Sequence, residues 1–310
     1  MPNYQGVWSL TTQMQNVSDW PIPFPTSIGV FFGSYVSEIN TTINFINLAS
    51  AGNAQSFGSL TTAKRNNGGF GSTTRGVTGG GYTGPTNVIE FITFATRSDT
   101  SDFGDLSVAR GYPSGSSNNT RGLFSGGYAS DYSDVIDYVT IASEGNATDF
   151  GDLTIGRYAQ GSLASPTRSV TSGGFGAGNQ RTNVIDYVTI GSTGNATDFG
   201  DMITARDYIV AAASETRGLF MGGNVGSTYY NDIEYITIAS TGNPTDFGDL
   251  SSAKTIGAAC SSNTIAVYAG GTESGGYINT IDQVTIASTG NATDFGDLLA
   301  AGGQMSSASN

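Results

Sequence analysis

Histidine is absent from this 310-residue chain. Its absence removes the usual general base, the Ser-His and Cys-His nucleophile pairs and most catalytic zinc arrangements. Cysteine occurs once, at Cys260, which excludes an internal disulfide. Positive charge is scarce: 12 Lys plus Arg stand against 25 Asp plus Glu, for a net charge of −13. Phosphate backbones need a basic stripe, so no nucleic-acid partner is expected. No run approaches the ~18 apolar residues of a membrane span, and membrane insertion is not expected. The opening Met1-Pro2-Asn3-Tyr4-Gln5 has no basic start followed by an apolar stretch, so no secretory leader is expected.

Glycine is what the chain has in quantity, 45 residues, beside only 12% charged side chains. Glycine supplies the backbone geometries of tight turns, and this composition predicts an all-β protein. One phrase organises it: Ser-Phe-Gly-Ser-Leu around Phe57, then Asp-Phe-Gly-Asp-Leu or Asp-Phe-Gly-Asp-Met around Phe103, Phe150, Phe199, Phe247 and Phe295. The intervals are 46, 47, 49, 48 and 48 residues, so a unit of roughly 48 residues occurs six times. The expected organisation is an N-terminal arm, 1–26, and one repeat domain, 27–310.

Within a unit, Arg121 to Gly127 reads as a short strand ending in a glycine pair. Val135 to Ser143 reads as a longer strand rich in β-branched and aromatic residues, and Asp-Phe-Gly-Asp-Leu as a third. Small residues from Gly111 to Asn118 predict a fourth, innermost strand that approaches its neighbours closely. Apolar side chains fall on both faces of the long strand, Ile136 and Tyr138 against Val139 and Ile141, so the sheet must be sandwiched. The expected fold is a six-bladed β-propeller. Ala301 to Asn310 matches the inner-strand segment but has no glycine-pair strand after it, whereas Ile28 to Gly33 starts without an inner strand. The C-terminal strand is therefore expected to close the ring beside the N-terminal blade, removing open edges.

Charges recur with the same period. Lys64, Arg110, Arg157, Arg206 and Lys254 follow the third strands, and Glu90, Asp137, Asp186, Glu234 and Asp282 sit early in the long strands. Both partners are lost together in the first unit, to Gly302 and Asn44. Joint loss is what buried ion pairs predict, because removing one partner alone costs ~3–5 kcal/mol.

The glycine pairs at 80/81, 126/127, 173/174, 222/223 and 270/271, the acid and aromatic of the next strand, and the following cation together resemble kelch-type repeats, with Phe in place of the usual Trp. The Asp-Tyr-Val-Thr-Ile-Ala-Ser-Thr-Gly-Asn-Ala-Thr-Asp-Phe-Gly-Asp-Leu kind of repeat, and the opening Gly6-Val7-Trp8-Ser9-Leu10, also resemble virion structural proteins of tailed phages, particularly of marine cyanobacteria. That likeness implies a non-enzymatic tail, fibre or capsid-decorating component, assembled in the host cytoplasm into a virion in multiple copies. Its propeller would face outward for host attachment. Trp8, Leu10, Met14, Val17 and Trp20 would dock the arm on other virion proteins.

Paired carboxylates of Asp-Phe-Gly-Asp lack calcium-loop spacing and read as turn caps; neither a metal nor a cofactor is expected. Asp-x-Gly faintly resembles a sialidase turn. However, Arg75, Arg121, Arg168 and Arg217 repeat with the fold's symmetry, where a catalytic arginine triad would break it, and a glycan-cleaving alternative nominates no residues. Loops after the glycine pairs differ between units and offer Tyr82, Tyr128, Tyr132, Phe175, Tyr229, Tyr230 and Tyr277. Variable aromatic loops on a rigid scaffold suit a host-surface glycan, a lectin-like alternative.

Overall fold

The computed structural model describes residue 25 and residues 27–310. The arm residues Trp8, Leu10, Met14, Val17 and Trp20 lie outside the described residues. Each repeat contributes to a four-stranded antiparallel sheet. In the third sheet the order is inner strand Ser114–Ser117, glycine-pair strand Arg121–Ser125, long strand Val135–Thr140 and outer strand Thr148–Asp152. Sheets 2, 4, 5 and 6 repeat this order from inner strands Gly68–Gly71, Gly161–Ala164, Val210–Ala213 and Ala258–Ser261. Sheet 1 joins the chain's two ends: Ser306–Ser309 pairs antiparallel with Ile28–Tyr35, Gly29 opposite Ser309 and Phe32 opposite Ser306.

The expected six-bladed, kelch-like propeller is corrected by this topology. Hydrogen bonding divides the described strands into nine antiparallel sheets of two to four strands, and no sheet is closed on itself into a barrel or propeller. Three of the nine are small ribbons in the loops, such as Asn224–Val225 with Thr228–Tyr229. The physical reason is that each large sheet stops at both edges: the outer strand carries two exposed or half-exposed polar residues, aspartates in sheets 2 to 6 and Ser56 and Ser59 in sheet 1, and the inner strand packs on the next sheet without a ladder.

Successive sheets are held by packing. Inner strands lie against one another in the order 2, 3, 4, 5, 6, 1, and that of sheet 1 also lies against that of sheet 2. Apolar clusters fill the spaces between faces; Phe70 and Phe124 of sheets 2 and 3 meet at 4.8 Å between ring centroids. At the rim each outer strand docks on the next repeat's turn. Gly145 N–H donates to the Phe103 carbonyl (2.7 Å) and Asp105 N–H to Asn146 Oδ1 (3.0 Å). The same bonds join sheet 6 to sheet 1, Gly52 N–H to Phe295 (2.8 Å) and Asp297 N–H to Asn53 Oδ1 (3.1 Å). The recurring Asp-Phe-Gly-Asp follows from this contact. A Cβ on Gly104, whose φ is +141°, would lie 2.5 Å from the Gly145 carbonyl carbon, so only glycine fits. The phrase is thus an outer strand, and the asparagine of the following turn caps the preceding repeat, where the sequence suggested aspartates capping their own turns.

A bulge recurs in every outer strand; in sheet 3 Ile136 pairs with Gly151 and Asp137 with Asp149, so Phe150 is the extra residue. The long strand itself alternates strictly, Ile136 and Tyr138 turning to the cluster shared with sheet 4 and Val139 and Ile141 to the one shared with sheet 2, and Tyr138 stays half-buried. Arg121 covers Tyr138 at 4.4 Å and donates from Nη1 to the Ile190 carbonyl of the next sheet (2.8 Å). Arg75, Arg168 and Arg217 make the same clamp, which explains their one-per-repeat recurrence.

Candidate binding site

The periodic charges lie inside the sheets. Arg110 Nη1 meets Asp137 Oδ2 at 2.7 Å, Arg157 Nη2 meets Asp186 Oδ2 at 2.8 Å, Arg206 Nη2 meets Glu234 Oε1 at 2.8 Å, and Lys254 Nζ meets Asp282 Oδ2 at 2.9 Å. Lys64 pairs with Glu90. All ten side chains are buried. Each carboxylate also accepts the backbone N–H one residue past the preceding outer-strand Leu or Met, as Ser107 N–H to Asp137 Oδ2 (3.2 Å). These groups are spent on the scaffold.

From each of these cations the chain turns toward the axis. Two residues on, Asn66, Tyr112, Ala159, Tyr208, Ile256 and, in sheet 1, Gln304 all adopt φ between +52° and +60°. Left-handed backbone costs a non-glycine residue roughly 1–2 kcal/mol, so something over-determines it. The return is a chain of bonds between repeats: Tyr112 N–H to the Asn66 carbonyl (2.6 Å), Asn66 N–H to Gln304 (2.8 Å), Gln304 N–H to Ile256 (2.6 Å) and Tyr208 N–H to Ala159 (2.7 Å). Ile256, β-branched, is the worst suited of the six. Ile256→Asn is expected to raise the stability by about 1 kcal/mol, read from the urea midpoint, since asparagine tolerates this conformation; an unchanged or lower midpoint would count against the strain.

The same six residues line one end of an axial cavity of about 670 Å³, walled by the inner strands. Ala159 is small, and Tyr112 and Tyr208 from the sheets on either side meet across it, 6.2 Å between centroids. Around them the rings are continuous. Tyr112 contacts Tyr82 (5.7 Å) and Tyr158 (5.0 Å); Tyr158 contacts Tyr128 (5.7 Å) and Phe175 (5.7 Å) and stacks on Tyr132 (5.9 Å, 10°). Burial pushes the Tyr112, Tyr158 and Tyr208 hydroxyls up, keeping them neutral donors. Asp207 is pushed up by burial too, though Arg181 Nε binds it at 2.9 Å.

Of the loop aromatics picked from sequence, Tyr82, Tyr128, Tyr132 and Phe175 come together in this cluster. Tyr277 lies apart against Tyr35 at 5.9 Å. Tyr230 sits against the buried Arg206 at 5.7 Å, and Tyr229 is not part of the cluster. Sequence reasoning missed Tyr112, Tyr158 and Tyr208, the rings nearest the axis, and Arg65. Their signal was positional: they stand one or two residues after the periodic cation, where the repeats disagree most. Among the described residues no group of three His, Cys, Asp or Glu is placed to hold a metal.

Neither a scan of protein-family models nor a search of curated proteins finds a match to this chain. The kelch label and the likeness to tailed-phage virion proteins are corrected accordingly. The fibre, tail or decoration role drawn from that likeness goes with them. The acids and cations have their explanation in the buried pairs just described, and the glycine pairs in left-handed backbone against the next repeat: a Cβ on Gly126, whose φ is +61°, would lie 2.7 Å from the Arg157 carbonyl oxygen.

Proposed function

We propose that the protein is a non-enzymatic binding module that takes a saccharide at the tyrosine-lined mouth. One observation carries the reading: seven rings, Tyr82, Tyr112, Tyr128, Tyr132, Tyr158, Phe175 and Tyr208, form one half-buried surface on backbone that the scaffold fixes. Phenol rings offer a pyranose an apolar face and a hydrogen-bonding tip at little entropic cost. Acid–base chemistry has little to work with at the rings nearest the axis, since Asp207 there is held by Arg181.

Glycan-array screening followed by calorimetry tests it. Tyr158→Ala, which removes the ring at the centre of the cluster, is expected to weaken binding about tenfold, each ring contact contributing roughly 0.5–1.5 kcal/mol. Absence of binding to any glycan, or undiminished binding by Tyr158→Ala, would sink the proposal.

A further inference from the structure

Arg65 is unlike every other cation in the chain. The 12 Lys and Arg all fall within the described residues. The five periodic cations meet buried carboxylates, and Arg181 meets Asp207. Arg75, Arg121, Arg168 and Arg217 bond the next sheet, and Arg97 donates to Gln55. Among the described residues the Arg65 guanidinium has neither an ion pair nor a hydrogen bond, and its Nε is buried without an acceptor. In a protein of net charge −13, an unclaimed half-buried guanidinium is costly to leave unpaired.

Its surroundings are those of a binding surface. The guanidinium lies over the Tyr35 ring at 4.4 Å, and Tyr35 meets Tyr277. Its charge favours ionisation of both Tyr112 and Tyr277, so it stands near each. The Arg65 carbonyl accepts the Tyr82 N–H at 2.8 Å. Arg65 therefore bridges the Tyr82–Tyr112 cluster and the separate Tyr35–Tyr277 pair. It also breaks the repeat: the equivalent positions are Gly111, Tyr158, Asp207, Thr255 and Gly303.

We infer that Arg65 is a specificity residue for an acidic saccharide, its guanidinium taking the carboxylate of a uronic acid while the flanking tyrosines hold the sugar rings. This rests on the saccharide reading above. A guanidinium already stripped of part of its water and lacking an internal competitor binds a carboxylate through charge-assisted bonds.

The test uses an oligogalacturonate and its fully methyl-esterified form, which share a backbone and differ in charge, titrated into the full chain by calorimetry at two salt concentrations. The acid form is expected to bind at least about tenfold more tightly, and more weakly at high salt. Arg65→Met is expected to remove that preference without changing affinity for the ester, Arg65→Lys to keep part of it. Equal wild-type affinity for the two forms, or a preference that survives in a folded Arg65→Met, overturns the inference while leaving the saccharide reading standing. Binding to no glycan at all overturns that reading instead.

Discussion

Lys64→Met is expected to cost about 3–5 kcal/mol at neutral pH, because it leaves Glu90 ionised, buried and unpaired. Glu90 is 1% exposed, and its remaining donors are the Thr61 N–H and hydroxyl and the Thr100 hydroxyl. These neutral bonds cannot replace a cation. The paired change Lys64→Met with Glu90→Gln is expected to recover most of the loss, since the amide oxygen still accepts from Thr61 and Thr100. Urea unfolding of the three variants decides it. A single substitution as mild as the double would mean the pair contributes little.

The sign of the pH response separates charge from packing. In the native protein burial opposes the Glu90 carboxylate, but Lys64 and the hydrogen bonds outweigh it and hold its pKa below the usual 4.5. A group depressed on folding stabilises fully above its unfolded pKa, and the contribution disappears as pH falls through the lower folded value. Wild type should therefore lose stability on acidification below about 4.5. Lys64→Met reverses this contribution: with burial opposed only by the neutral Thr61 and Thr100 donors the carboxyl is expected to titrate above its unfolded value, so the deficit should shrink as pH falls from 7. Equal deficits at pH 7 and pH 5 would point to lost side-chain packing.

Much of the scaffold was written in the sequence because it repeats. The period, the four strands of a unit and the meeting of Ala301–Asn310 with Ile28–Gly33 follow from segments that match along the chain. The joint replacement of cation and carboxylate by Gly302 and Asn44 in the first unit marked the paired positions. What could not be read is what happens between repeats. Alternation assigned the faces of the long strand, Ile136 and Tyr138 against Val139 and Ile141, whereas the bulge at Phe150 in the outer strand shows no distinct residue type. Gly104 read as part of the third strand, but the need for glycine there was hidden because the backbone that excludes a Cβ belongs to the next repeat. The site was half legible for the same reason. Loops of unequal length pointed to Tyr128 and Tyr132, whereas Tyr112, Tyr158 and Tyr208 sit in a register-bearing segment that reads as strand entry. Only the small Ala159 between Tyr112 and Tyr208 lets those rings meet.

Removing Ser306–Asn310 is expected to cost roughly 5 kcal/mol, a large part of the 5–15 kcal/mol that holds an ordinary domain folded. Four residues of inner strand leave Ile28–Tyr35 with an open edge. The Ile28 N–H loses Asn310 Oδ1 (2.8 Å), and Ala308 leaves the cluster it shares with Val30 and Phe32. A buried polar knot goes with them: Ser306 Oγ accepts from Asn67 Nδ2 at 2.8 Å and lies 3.0 Å from Thr78 Oγ1, so the cut orphans groups in sheet 2 as well as sheet 1. Deleting Asn310 alone should cost about 1–2 kcal/mol, since its side chain accepts the Ile28 N–H and its own N–H donates to the Ile28 carbonyl (3.3 Å). Hydrogen exchange locates the damage. Protection should fall first in Ile28–Tyr35 and Gly68–Gly71, the strands on either side of the missing one, and last in sheet 4, across the axis. Uniform loss would mean that the six sheets unfold as one unit, and unchanged protection beside Ser306 would mean that the terminal strand does not hold sheets 1 and 2 together.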